Sequence, residues 1–433
     1  MGGGNLEFSR FSRSVLLALL VSSGPILVLS HGFIGTGPRF TAAFLIAATG
    51  LPLVLSPWPE IDWSASDFVF AAFLVSVAVS FVINGATADS KESVLLLLSL
   101  AAYSTSRIAP VDKRAIFLWI TAAIVMVGAV VTAIALADQW DGHHGKPFVF
   151  GEFDAAPIQF LTSLGFALLA ASCTRLTARR TLTISVLLFV PAAVFAASQV
   201  RFTFIAVEAA LLLAAMIGEP RQRRYVFSVI AVLAFACLVG MLARPSATGN
   251  FLNHAVNTLI GKSEAGPDIP PAELQTECAS IDHDNSIAIR AQLMKEAVAA
   301  IPGAGLFGYG LDGFLRRSCF GTLEIHNSFL QAFVEFGWLG GATFFLLIVS
   351  AILFLLPLAR HDGEVRFVLC SIIYMVMESA AHGRLSRDGL MFLFLGYAAG
   401  LHWRLQQTAL ENEDERSYHL KPGYERSRRR NNI

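Results

Sequence analysis

Charged residues are scarce in this sequence. Asp, Glu, Lys and Arg make up 15% of its 433 residues, whereas a soluble globular chain carries about 25%. An excess of one sign is also missing, because Lys+Arg and Asp+Glu both number 32. Together these shortages exclude a soluble enzyme, a disordered protein and a nucleic-acid-binding protein.

Apolar residues are abundant instead, with 55% of the chain hydrophobic and a mean hydropathy of +0.60. A membrane-spanning helix needs roughly 20 apolar residues, and the sequence contains about twelve apolar stretches. They lie near residues 14–31, 40–56, 67–84, 93–107, 115–137, 156–174, 181–198, 202–218, 225–243, 328–358, 366–381 and 389–404. We predict an all-α polytopic membrane protein with about twelve transmembrane helices. The first stretch has no small-residue cleavage site after it, so we expect it to be retained.

The basic residues of the short loops predict the orientation, because cytoplasmic loops are rich in Lys and Arg. With a cytoplasmic N-terminus, the inner loops and the tail collect most of these residues. They include Arg107, Lys113, Arg114, Arg175, Arg179, Arg180, Arg221, Arg223, Arg224, Arg360, Arg366, Arg416, Lys421, Arg426, Arg428, Arg429 and Arg430. The early outer loops contain little beyond Arg39, Lys91 and Lys146. We therefore expect both termini on the cytoplasmic side.

One long polar segment interrupts the apolar stretches. We divide the chain into nine helices over residues 1–243, a loop over 244–327, three helices over 328–404 and a tail over 405–433. The predicted topology puts the loop outside, between the ninth and tenth spans, and loops of this length are usually functional. The tail is polar and mixed in charge, so we expect it to be disordered.

The large loop contains a predicted helix followed by a glycine-rich run. Ser286 can cap the helix, and Pro302 ends it. The glycine run includes Gly308-Tyr-Gly-Leu-Asp-Gly313, which matches the pattern GxGxxG. Because it follows a helix and no βαβ unit surrounds it, we do not expect a dinucleotide site.

Two of the five cysteines, Cys278 and Cys319, fall in this loop. In an oxidising exterior they could form a bridge that closes about 40 residues, worth on the order of 3–4 kcal/mol in the chain-entropy model. Two unpaired thiols fit the sequence equally well, because nothing in it fixes their separation. Cys173, Cys237 and Cys370 fall in predicted spans, where cysteine is a small packing residue.

Metal ligands are not persuasive in this sequence. Asp282 and Asp284 have the spacing of an acidic pair that binds a metal, but a solvated turn before a helix explains them as well. His143 and His144 are adjacent in an outer loop and lack carboxylate or cysteine partners at ligand spacing. We expect neither a metal nor another cofactor.

Arginines on the outer side are the stronger signal, because outer segments should contain few of them. Each could be an ordinary interfacial charge. Together they could bind a polyanion, since guanidinium groups bind phosphate in a bidentate way. The six are Arg201, Arg290, Arg316, Arg317, Arg384 and Arg387.

His326 lies at the end of the large loop, immediately before the tenth span. An imidazole with a pKa near 6.5 can act as a base, although a histidine at a helix mouth can also serve only as a hydrogen-bonding group. Glu335 is about 180° further round a continuous helix, so the two side chains should not touch. We expect a structural role for Glu335, through Gln331 at i−4 or between helices.

These residues resemble the O-antigen ligase and O-antigen polymerase superfamily. The resemblance rests on His326-Asn327 with Leu330, Glu335, Gly337 and Gly340, after the turn Gly308-Tyr-Gly310. Arg201 after Ser198 and Arg290 on the loop helix are similar to the two arginines of that family, although Gln199 and Val200 separate Ser198 from Arg201. The layout of about twelve spans with one large periplasmic loop before the last three is also similar.

The resemblance implies a membrane glycosyltransferase of the bacterial inner membrane that uses a polyprenyl-diphosphate-linked glycan. His326 would be the base, Arg201 and Arg290 would stabilise the diphosphate, and the other outer arginines with Gly308 and Gly310 would contact substrate. The acceptor would be lipid A core or a growing glycan. Polymerisation of O-antigen or exopolysaccharide is an open alternative, and a secondary transporter is a distant one, since no internal repeat is evident.

Overall fold

The structure is a computed structural model that describes residues 14–55, 63–85, 89–107, 114–140, 145–174, 176–245, 248–249, 286–321 and 323–420. Within these ranges the fold is all-helical, and a lone bridge between Val149 and Phe153 is the only strand-like pairing. The first ten helices are α1 (Ser14–Val21), α2 (Ser23–Ile34), α3 (Pro38–Leu55), α4 (Ala65–Asn84), α5 (Ser90–Arg107), α6 (Arg114–Asp138), α7 (Ala156–Ser172), α8 (Ala178–Ala197), α9 (Phe202–Ile217) and α10 (Pro220–Ala243). The remaining ones are α11 (Ser286–Ala300), α12 (Ser328–Glu335), α13 (Gly337–Leu355), α14 (Gly363–Ala381) and α15 (Gly389–Leu420).

Each predicted apolar stretch coincides with one helix or with two consecutive helices, but not every helix is long and apolar enough to cross a membrane. Within the described ranges five helices meet that test, namely α4, α6, α8, α10 and α13. The pair α1 and α2 would add a sixth if the two form one bent span, while α7 and α9 are apolar but shorter. The chain is therefore a helical membrane protein, and the number of about twelve spans stays a prediction.

The outward faces of these helices are apolar. Trp119 and Ile134 on α6, Val82 on α4 and Leu182 on α8 are all exposed. Apolar surface of this extent is unfavourable in water, and lipid hydrocarbon is its natural surrounding. Inside the bundle, Gly396 of α15 lies so close to α5 that a Cβ there would collide with the Tyr103 carbonyl oxygen. Small residues at such crossings let membrane helices approach closely.

Three predicted segments differ from the structure. The first stretch bends by 70° at Ser22, because in a continuous helix the ring of Pro25 would clash with the Val21 carbonyl. The tenth stretch breaks at Phe336, where Gly337 adopts φ +74° and ends the short helix α12. The last helix continues to Leu420, so residues 405–420 of the expected disordered tail are helical, and 421–433 lie outside the described residues.

Ion pairs mark the two ends of the bundle. Glu92 and Arg107 lie at opposite ends of α5, about 22 Å apart. At the Arg107 end, its guanidinium pairs with Asp67 at 3.0 Å, and Tyr397 donates to Glu364 at 2.7 Å. The basic loops that we predict to be cytoplasmic connect helices at this end. The opposite end carries the residues that the sequence singled out for function.

Candidate active site

The glycine-rich turn packs against the break between α12 and α13. Tyr309 N donates to Val334 O at 3.1 Å, and Gly310 N donates to Glu335 O at 2.9 Å. Gly308 has φ +71°, and a Cβ there would collide with the Glu335 backbone. The positive φ and the close approach of the Glu335 backbone both exclude a residue larger than glycine at position 308. This packing gives Gly308 a structural reason, and the substrate-binding role expected for Gly308 and Gly310 stays a prediction.

Glu335 is buried and linked to its neighbours by hydrogen bonds. Gln331 Nε2 donates to Glu335 Oε2 at 2.8 Å, at the expected i−4 spacing. Gln331 Oε1 accepts from Leu385 N at 2.7 Å, and Ser80 Oγ donates to Glu335 O at 3.0 Å. Glu335 thus connects α12 with α4 and with the segment between α14 and α15. It is a part of the frame around the site.

His326 lies in an unusual backbone conformation at the start of α12. Its φ is +54°, in the left-handed region, where a non-glycine residue costs about 1–3 kcal/mol and often marks a functional site. Asn327 fixes this position, because its Oδ1 caps α12 by accepting from Leu330 N at 3.0 Å and its Nδ2 donates to Ala380 O at 2.9 Å. The imidazole is half-buried. Among the described residues, none hydrogen-bonds to its ring nitrogens.

Arg290 lies on the loop helix α11, on the face that packs toward the site. Leu293 and Ala297 follow it by three and seven residues and are fully buried, so all three share one helix face. Leu293 and Ala297 pack with Phe314 and with Ile325, the residue before His326. Burial lowers the pKa of Arg290. A partly desolvated guanidinium interacts more strongly with an anion than one in water does.

Four basic groups lie within electrostatic range of one another at this site. Burial, and then the charges of Arg290 and Lys146 among others, lowers the pKa of His326. Burial, and then the charges of Arg290, Lys146 and His326, lower the pKa of His382 to about 3. The pKa of Lys146 is also lowered by burial and by Arg290, although Asp154 opposes this. Both histidines are therefore neutral at physiological pH.

Arg201 reaches the same end of the bundle at the turn between α8 and α9. Burial lowers its pKa to about 10, so the guanidinium stays charged at neutral pH. The neighbouring Phe202 ring contacts the His382 imidazole edge to face at 5.6 Å between centroids. Arg244 stabilises the turn between α8 and α9, because its Nη1 donates to Ala197 O at 3.3 Å. The same Nη1 donates to Gly145 O at 3.0 Å and so connects this turn to the loop that carries Lys146.

Arg384 is buried in a cluster of carboxylates. Its side chain is 7% exposed and pairs with Asp312 at 2.8 Å, with Glu92 at 3.2 Å and with Glu324. Arg387 is 53% exposed and pairs with Glu92 at 2.7 Å. The carboxylates argue against the substrate-binding role expected for Arg384. They join α5, the large loop and the segment after α14 instead.

Arg316 and Arg317 are exposed on the large loop. The Arg317 guanidinium lies 3.7 Å from the centroid of the Tyr309 ring, in a cation–π contact. Within the described ranges no ion pair or hydrogen bond joins either arginine to the group around His326. Their substrate-binding role therefore stays a prediction.

Part of the loop lies outside the described residues. Cys319 is disulfide-bonded, whereas Cys173, Cys237 and Cys370 form no disulfide. Cys278, its expected partner, is outside the described ranges, as are the metal candidates Asp282, Asp284, His143 and His144. Within those ranges no group of three or more His, Cys, Asp or Glu residues could hold a metal ion.

Sequence reasoning missed Lys146 and His382 as members of this site. Lys146 is one of the few cations of the early outer loops, so the argument applied to the outer arginines could have selected it. His382 directly follows an apolar stretch, as His326 directly precedes one. Only the packing of α14 beside α12 shows that the two histidines are neighbours.

A comparison with known families agrees with the motif-based interpretation. Residues 184–345 match the family model described as O-antigen ligase. No curated protein matches the chain at a significant level. The matched segment includes Arg201, Arg290 and His326. It confirms the resemblance predicted from the motifs: over residues 184–345 the chain is similar to the O-antigen ligase family.

Proposed function

We propose that the protein transfers a glycan from a polyprenyl diphosphate to an acceptor hydroxyl at the outer face of the bacterial inner membrane. The observation that carries this proposal is a half-buried His326, held at φ +54°, within electrostatic range of Arg290. Arg201 lies at the same end of the bundle, and the ring of the adjacent Phe202 contacts His382. Two cations and a neutral base are the groups that the reaction requires. The family match over residues 184–345 supports the same chemistry.

The arginines would bind and stabilise the leaving group. Arg201 and Arg290 stay charged, and each hydrogen bond from a guanidinium to a phosphate is worth about 1.5–3 kcal/mol. The diphosphate gains negative charge as its bond to the anomeric carbon breaks. Positive charges already in place stabilise this transition state without rearrangement.

His326 would accept the proton of the acceptor hydroxyl. Its lowered pKa keeps the imidazole neutral, and a neutral imidazole can act as a base at once. The hydroxyl oxygen then bonds to the anomeric carbon while the polyprenyl diphosphate leaves, so the anomeric configuration inverts. Such a base contributes typically 10²–10⁴-fold to the rate.

The proposed topology puts this site on the periplasmic side. About twelve spans with both termini cytoplasmic would bring the ends of α4, α8, α10 and α14 to the outer leaflet. The loop over 244–327 would then be periplasmic, and lipid-facing helices would flank the polyprenyl chain. The oxidised state of Cys319 is consistent with that compartment.

We favour ligation onto lipid A core over polymerisation, because the matched family is described as O-antigen ligase. Analysis of lipopolysaccharide and exopolysaccharide from a deletion strain tests this proposal. Loss of long glycan from lipid A, with the lipid-linked glycan still present, is the expected result. A ladder that collapses to one repeat unit would indicate a polymerase, and an unchanged glycan profile would refute the proposed function.

A further inference from the structure

His382 lies between the two parts of the site that the proposed reaction uses. On one side its ring contacts Phe202, the residue after Arg201, at 5.6 Å between centroids. On the other side, α14 ends against the start of α12. Asn327, next to His326, donates to Ala380 O at 2.9 Å.

A second contact tightens the junction between α14 and α12. Gly383 packs so closely on Ser328 that a Cβ at Gly383 would collide with the Ser328 hydroxyl. These two contacts join residues 326–328 to residues 380–383, and each of the two segments carries one of the histidines. The His382 backbone is fixed as well, because its N–H donates to Glu378 O at 2.8 Å and ends α14. These contacts fix the backbone position from which the imidazole extends.

The surroundings of His382 are suited to an anion. The charged or titratable groups acting on it are Arg290, Lys146 and His326, and all of them disfavour its protonation, as burial does. A histidine that stays neutral keeps one N–H donor and one lone pair at every physiological pH. It can donate a hydrogen bond to a phosphate oxygen without changing its own charge.

We propose that His382 is a further donor-binding residue, whose imidazole N–H donates a hydrogen bond to the diphosphate of the polyprenyl-linked substrate. This inference rests on the proposed function and adds a group to its site. His326 and His382 then have different roles: His326 accepts the proton of the acceptor hydroxyl, and His382 binds the leaving group. Asparagine at position 382 would retain an N–H donor, whereas alanine would not.

Binding of farnesyl diphosphate to the full-length purified protein tests the inference, because it requires no glycan transfer. We expect His382→Ala to weaken binding about 10- to 100-fold, as for a lost hydrogen bond to a charged group. His382→Asn should recover most of the affinity. His361→Ala, which changes an exposed histidine at the opposite end of the bundle, should bind like the wild type.

Kinetics with a lipid-linked glycan separate binding from a merely structural role. His382→Ala should raise KM for the donor, while the pH dependence of kcat keeps the single ionisation of His326. Wild-type affinity in His382→Ala would overturn the inference, as would equal losses in the alanine and asparagine variants or a shifted pH profile. A wild-type protein that binds no farnesyl diphosphate would instead refute the proposed donor, and the inference with it.

Discussion

Replacing Arg384 with glutamine should destabilise the protein strongly, because three carboxylates would lose their shared partner. Glu92 and Asp312 are nearly buried, and Glu324 is about one quarter exposed. Removing one partner of a buried ion pair typically costs 3–5 kcal/mol, since the remaining charge is left uncompensated. We expect Arg384→Gln to reach that range.

Arg387→Gln is the matched control, because it removes a second arginine from the same carboxylate, Glu92. Its side chain is 53% exposed, and pairs of that kind are worth about 0–1 kcal/mol. Unfolding of the two detergent-purified variants, followed side by side with the wild type, measures the difference. Equal and small losses of stability in both variants would refute the assignment of Arg384 to the frame of the site.

The Arg384→Gln defect should also depend on pH. Burial raises the pKa of Glu324, and Arg384 opposes this rise; without the arginine the folded-state pKa should rise further. A group whose folded pKa lies above its unfolded value binds more protons in the folded state, so it loses stability as pH increases. The gap between variant and wild type should therefore be smaller at pH 5 than at pH 7, and a gap that widens toward pH 5 would contradict the argument.

Two further predictions concern the turn and the topology. Gly308→Ala should destabilise the protein by more than 1 kcal/mol, because a Cβ there meets the Glu335 backbone. Gly305→Ala is the control, since Gly305 has a similar φ but a Cβ there meets nothing within 4 Å. Similar unfolding of both variants would contradict this packing. A reporter fused after Gln275 should show a periplasmic location and one fused after Gln222 a cytoplasmic one; the reverse result would refute the proposed placement of the site.

The helices could be predicted from the sequence because lipid selects for long apolar stretches, and these are visible without knowledge of the fold. The breaks could not. Continuous hydropathy runs through Ser22 and Phe336, and the second break depends on the approach of the Gly308 turn from far away in the sequence. The length of α15 was missed for the opposite reason, since its last part is polar and carries no apolar pattern.

The candidate site could be predicted in part. His326, Arg201 and Arg290 were selected by position relative to the membrane and by their motifs. Arg384 was selected on the same grounds, yet its partners Glu92 and Asp312 lie in distant parts of the chain, and only the fold shows that they neutralise it. The proximity of His382 to His326 likewise depends on helix packing, which residue spacing does not encode.

Glycan transfer by His326 variants tests the central claim most directly. Purified His326→Ala and His326→Asn should be compared with the wild type for transfer from a lipid-linked glycan and for binding of farnesyl diphosphate. Asparagine tolerates the left-handed backbone of this position better than alanine does, so agreement between the variants separates loss of the base from loss of the backbone conformation. The account predicts that both lose transfer by about 10²–10⁴-fold while diphosphate binding stays within a few-fold of the wild type. Wild-type transfer rates in either variant would contradict it.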